Sequence, residues 1–88
     1  MYYNTIRRSC FKYMSFYGFA SSVIIMSSSF YDQLEKEMIG KQWLALIKQN
    51  SVLGNKIIID NNLNHDISFV LTDLKNNHKL IFYKKDLK

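Results

Sequence analysis

The sequence predicts an α+β protein, with one or two helices over residues 29–53 packed on a three-stranded antiparallel meander over residues 56–84. Three observations predict it. Three apolar runs, Ile57-Ile58-Ile59, Ile67 to Leu74 and Leu80-Ile81-Phe82-Tyr83, are separated by two polar stretches, Asp60 to Asp66 and Lys75 to Lys79. β-branched and aromatic runs bounded by Asn and Asp read as strands joined by turns. Upstream, residues 30–53 carry their apolar side chains at helical spacing. The chain has 88 residues, which bounds it to one domain with a small core.

Residues 1–29 form a basic, aromatic N-terminal segment that differs from the small α+β domain expected over 30–88. Arg7, Arg8 and Lys12 are its charges, with no acid before Asp32, and seven of the thirteen aromatics lie in the first 25 residues. A basic stretch, an apolar stretch from Tyr13 to Met26 and then Ser27 to Ser29 follow the order of a secretory signal. The apolar stretch is poor in that role, because it holds Gly18, three serines and no leucine. It is also short of the ~20 apolar residues that a membrane span needs. The other readings are a transit peptide, a membrane-surface anchor, a translation start at Met26, or an extra core element. In the last, Phe19 to Met26 would cover the second face of the sheet as a strand or helix. The serine cluster is where periodic signals begin, so residues 27–88 are expected to contain the sheet-forming unit.

Residues 30–53 read as helix. Ser28 or Ser29 can cap it, and Asp32–Lys36 and Glu37–Lys41 are spaced as i,i+4 pairs. Gly54 is a plausible stop. The apolar stripe changes sides along it. Phe30, Tyr31, Leu34 and Met38 share one side, and Ile39, Trp43, Leu46, Ile47 and Leu53 share the other. The switch falls at Ile39-Gly40, so the sequence gives either a break into about 29–39 and 41–53 or one helix with different partners at its ends.

Strand residues alternate between two faces. Ile67, Phe69 and Leu71 share one face of the second strand, and Ser68, Val70, Thr72 and Leu74 share the other. The first face needs a helix. The second is apolar enough to need cover from the N-terminal segment or from another chain.

No catalytic set appears, and the expectation is a protein that is not an enzyme and uses no cofactor or metal. Asp60, Asn62, Asn64 and Asp66 have the spacing of a calcium-loop start, but His65 replaces the turn glycine and Leu71 the bidentate glutamate. His65 and His78 stand at opposite ends of a strand, too far apart for one zinc. Each reads as an exposed turn histidine. Cys10 is the single cysteine, which excludes an intrachain disulfide, and its basic neighbours would favour the thiolate. No phosphate loop or nucleotide fingerprint is present. The helix-then-strands order resembles the start of a double-stranded-RNA-binding domain. No motif residue matches, and its closing basic helix has no room, so no family is assigned.

The net charge of +5 is concentrated early, since residues 32–88 carry nine lysines against seven acids. This weakens a nucleic-acid reading drawn from overall basicity. Lys75, Lys79, Lys84, Lys85 and Lys88, with Tyr83 among them, could contact a single strand; Lys79, Tyr83, Lys84 and Lys85 are the candidates. The preferred reading of the same residues is an edge strand guarded by lysines, which discourages aggregation. The reading preferred on sequence is a small binding or accessory protein, inhibitor- or immunity-like, whose partner is another protein chain or a second copy. Its candidate interface is Trp43, Leu46 and Ile47. The alternatives are a weakly basic nucleic-acid-binding module and an exported or membrane-associated small protein. A cytoplasmic location is favoured, and an exported one if residues 1–29 are a signal.

Overall fold

A computed structural model of the protein describes residues 1–86. The elements run α1 (Tyr2–Tyr17), β1 (Val23–Met26), α2 (Ser28–Glu37), α3 (Leu44–Lys48), β2 (Ser51–Val52), β3 (Asn55–Ile59), β4 (Ile67–Asp73) and β5 (His78–Tyr83), followed by a 3₁₀ turn, Lys84–Asp86. The α+β class stands. The sheet, however, has five strands in the order β2-β3-β1-β4-β5 and is mixed. It is not a three-stranded antiparallel meander.

The difference comes from β1. Val23, Ile24 and Met26 are buried, so this short apolar run has the character of a strand flanked on both sides. It inserts between β3, to which it is parallel, and β4, to which it is antiparallel. The expected hairpin between β3 and β4 therefore does not form. Asp60 to Asp66 instead spans two strand spacings, about 10 Å, past the end of β1. The sheet unit thus begins before the serine cluster, and residues 27–88 lack its central strand. Phe19 to Met26 does not cover the second face, because its apolar half lies within the sheet.

Parallel pairing of β1 and β3 requires a long crossover. Residues 27–54 provide it, through α2, α3 and the short strand β2. Ser27 caps α2, accepting a hydrogen bond at Oγ from the Phe30 N–H at 3.2 Å. The helical stretch breaks where the stripe changes sides, and Gly40 sits in the left-handed region at φ 82°. α3 ends at Lys48, short of the expected Leu53.

α1 buries Ile6, Ser9 and Tyr13 on the stripe that Tyr2, Cys10 and Tyr17 partly extend. It stops at Gly18, φ 80°, whose N–H bonds the Met14 carbonyl at 2.8 Å. Glu37, spaced to pair with Lys41, instead caps the other end of α1. Its carboxylate accepts from the Tyr2 and Tyr3 N–H groups, at 2.7 and 3.0 Å, and from the Met1 ammonium at 2.8 Å. Burial pushes the Glu37 carboxyl up, but these hydrogen bonds outweigh it and hold it below its ordinary value.

All three helices send residues into one core. Ile6 and Tyr13, Leu34 and Met38, and Ile47 pack with Ile24, Met26, Ile57, Phe69, Leu71 and Phe82 of the sheet. The helices therefore lie on one face, and the other face carries none of the described helices.

Candidate interaction surfaces

The uncovered face can be read from the register. Ile58 pairs with Ile25, Ile25 with Val70 and Val70 with Ile81. Directly paired residues point the same way, so four aliphatic side chains form one row across β3, β1, β4 and β5. Val70 is shielded by its neighbours, whereas Ile58 and Ile81 at the ends are 38% and 37% exposed. The next row on this face is Lys56, Val23, Thr72 and Lys79, again by direct pairing. It places one exposed lysine on β3, beside the short edge strand β2, and another on the edge strand β5. Tyr83 follows Lys79 and Ile81 by alternation and is also exposed.

The Trp43 region is a second surface. Trp43, Leu46 and Leu53 are exposed and line a small groove of about 230 Å³ with Tyr3, Val52 and Gly54. Ile47 does not share that exposure. It is fully buried, because the break at Gly40 turns one side of α3 into the core and leaves Trp43 and Leu46 outside. Leu53 takes φ 49° in the tight β2–β3 turn, an unfavourable conformation for a leucine. The turn is held by Asn55, whose amide donates to the Val52 and Leu53 carbonyls at 3.3 and 3.1 Å.

A third surface lies between α1 and the free edge of β5. Thr5, Arg8, Ser9 and Lys12 of α1, Leu80, Ile81 and Phe82 of β5, and Asp86 line a groove of about 310 Å³. The only salt bridge among the described residues joins the Met1 ammonium to Glu37, so Arg8 and Lys12 form none there. Sequence reading did not find this site. Arg8 and Ile81 are far apart in the chain, and only the docking of α1 brings them together.

The remaining polar groups are structural in character. Ser21 Oγ donates to Asn55 Oδ1 at 2.6 Å, and the Asn55 amide reaches Cys10 Sγ at 3.6 Å. Burial raises the Cys10 thiol more than hydrogen bonding with Ser21 and Asn55 lowers it. The activating effect expected of its basic neighbours is therefore not realised. His78 is not a free turn residue either. It stacks on Tyr17 with ring centroids 4.3 Å apart, while Tyr17 Oη donates to the Lys79 carbonyl at 2.6 Å. Tyr13 Oη and His78 Nδ1 are buried without a partner among the described residues. His65 is exposed in its loop.

The calcium-like loop uses its oxygens internally. Asp60 Oδ1 accepts from the Asn62 N–H at 2.9 Å, and Asn64 Oδ1 from the Asp66 N–H at 3.0 Å. These are local Asx turns. No cluster of three or more His, Cys, Asp or Glu suited to a metal occurs among the described residues. No described helix is long and apolar enough to cross a membrane.

Of the basic candidates, Lys79 and Tyr83 share the uncovered face. Lys84 and Lys85 lie in the exposed turn after it, and Lys75 in the exposed turn before β5. Lys88 lies outside the described residues. No protein-family model, curated protein or solved structure matches the chain.

Proposed function

We propose that this is a small non-enzymatic binding protein that holds another polypeptide against the uncovered face of its sheet. One observation carries the reading: the Ile58–Ile25–Val70–Ile81 row crosses four strands and no described helix lies over it. An antiparallel or mixed sheet that faces water on one side usually does so with polar side chains. Moving a fully exposed isoleucine out of water is worth about 1.5–3 kcal/mol. Ile58 and Ile81 are 38% and 37% exposed, so a partner that buries them gains roughly a third of that, ~0.5–1 kcal/mol, from each. The expected alternation between the N-terminal segment and another chain as cover narrows here, since α1 sits on the opposite face and β1 within the sheet.

A nucleic-acid partner draws support from Lys56, Lys79 and Tyr83 on the same face. Base stacking needs aromatic platforms, however, and Tyr83 stands there among aliphatic side chains. The protein-binding reading therefore fits the row better. The test is photo-crosslinking in the native cell, with a photoreactive residue placed at Ile58, at Ile81 or, as the control, at Lys36 on α2. Discrete adducts to a protein, or to a second copy, from positions 58 and 81 but not from 36 are the expected result. Adducts to nucleic acid only, equal adducts from all three positions, or none, would reject the reading.

A further inference from the structure

We infer that the free edge of β5 takes an extended acidic segment of another protein as a sixth strand, seated in the groove beneath Arg8 and Lys12. The inference rests on the protein-binding reading above and names the kind of segment bound.

The direction of the backbone groups comes first. β5 ends the sheet and pairs with β4 on its inner side. Tyr17 Oη reaches the Lys79 carbonyl from α1, so that carbonyl points away from β4. In an antiparallel ladder the outward-pointing residues alternate, which puts the N–H and C=O of Ile81 and the N–H of Tyr83 outward as well. The next residue agrees, since the Lys84 N–H turns back to the Asp66 carbonyl at 2.8 Å. The N–H and C=O of Ile81 and the N–H of Tyr83 have no partner among the described residues, whereas the Tyr83 carbonyl closes the 3₁₀ turn Lys84–Asp86. These three free groups are a short template for strand addition. The other edge offers less, because β2 has only two residues.

Charge selects the occupant. Arg8 and Lys12 line the helix side of the groove, and Lys79, Lys84 and Lys85 lie along or just beyond the strand. Asp86 is the one acid lining it. A second copy pairing through β5 would bring the same cations against these, which opposes self-association. A strand bearing carboxylates meets them favourably.

Register fixes the pattern. Side chains opposite Leu80 and Phe82 point to the helix side, toward Arg8 and Lys12. A side chain opposite Ile81 points to the uncovered face and lengthens the Ile58–Ile25–Val70–Ile81 row by one position. The segment that fits alternates acidic with β-branched apolar residues.

The probe is a synthetic peptide of alternating Glu and Val, titrated into the ¹⁵N-labelled full chain at ~0.15 M salt. Two control peptides accompany it: one with Lys in place of Glu, and one N-methylated on the edge that would bond β5. Saturable binding is expected, with amide exchange at Ile81 and Tyr83 slowed at least about tenfold and both controls at least about tenfold weaker. Arg8→Glu combined with Lys12→Glu, with melting temperature unchanged, is expected to weaken the peptide by a similar factor. The N-methylated control leaves the protein untouched, so the test survives if that variant fails to fold. No saturation, equal binding of either control, or protection at β3 rather than β5 would overturn the inference. So would a concentration-dependent dimer that protects Ile81 and Tyr83 without peptide. Crosslinks from positions 58 and 81 alongside a failed titration would remove the sixth strand and leave the sheet-face reading standing.

Discussion

Ile57 and Ile58 are consecutive, chemically identical and in the same strand, yet Ile57 is 4% exposed and Ile58 is 38% exposed. The same contrast runs across the sheet. The row Ile57–Ile24–Leu71–Leu80 lies under the helices, and the row Ile58–Ile25–Val70–Ile81, one residue along, does not. Both rows are wholly aliphatic. The neighbouring rows differ, since Met26, Phe69 and Phe82 extend the covered face whereas Lys56, Thr72 and Lys79 lie on the open one, and the helices take the more apolar side. Each helix has one apolar stripe, and the stripes of α1, α2 and α3 all fall on the Ile24 side. What is left is an aliphatic row bordered by Lys56 and Lys79.

The largest test removes the strand that both rows share. A fragment starting at Ser27 lacks β1, so β3 and β4 lose their common partner and the core loses Ile6, Tyr13, Ile24 and Met26. Circular dichroism and thermal melting are expected to show no cooperative transition for the fragment, against a sharp one for the whole chain. A folded, cooperatively melting fragment would mean that β3 and β4 pair without β1.

A smaller effect compares the rows directly. Leu71→Ala opens a cavity under the helices and is expected to cost about 2–5 kcal/mol. Ile58→Ala removes a partly solvated side chain at the end of the open row and is expected to cost less than about 1 kcal/mol. Urea denaturation of both variants measures the gap. Comparable losses would mean that the second face is as tightly packed as the first.

The smallest effect concerns how α1 is held on its own side. Glu37→Gln replaces the carboxylate that accepts from the first N–H groups of α1, and a lost helix cap costs about 0.5–2 kcal/mol. The carboxyl lies lower in the folded chain than in the unfolded one, so the unfolded chain takes up its proton first as pH falls. The Glu37 contribution is thus present above the ordinary glutamate range and lost as pH drops through the folded value. Wild type and variant are expected to differ at neutral pH and to converge in acid. Denaturation midpoints across that window check it, and a constant difference would detach the effect from ionisation.

Much of the fold was legible locally. The strands near Ile57, Ile67 and Leu80 sit where β-branched runs and Asn-rich turns put them. The helix break sits at Gly40, where the stripe changes sides. The sites were less legible. Trp43 and Leu46 do lie together on the surface, but Ile47, on the same stripe, is inside. A break in the helix axis re-aims each turn separately, and a periodicity argument assumes one axis. Arg8 and Lys12 read as part of a targeting-like segment, because a basic stretch followed by an apolar one has the same composition whether it is exported or folded.

Local chemistry is thus enough to set the class, the strand-forming runs, the break at Gly40 and the charge imbalance, since each depends on residues close together in the chain. The tertiary structure alone decides that β1 takes the centre, that the second face receives no cover from the N-terminal segment, and that Arg8 lines the groove at Ile81. Those outcomes depend on pairing partners tens of residues apart. Val23 to Met26 satisfies β3 and β4 at once with two ladders of hydrogen bonds, and no local preference of residues 57–74 can compete with that.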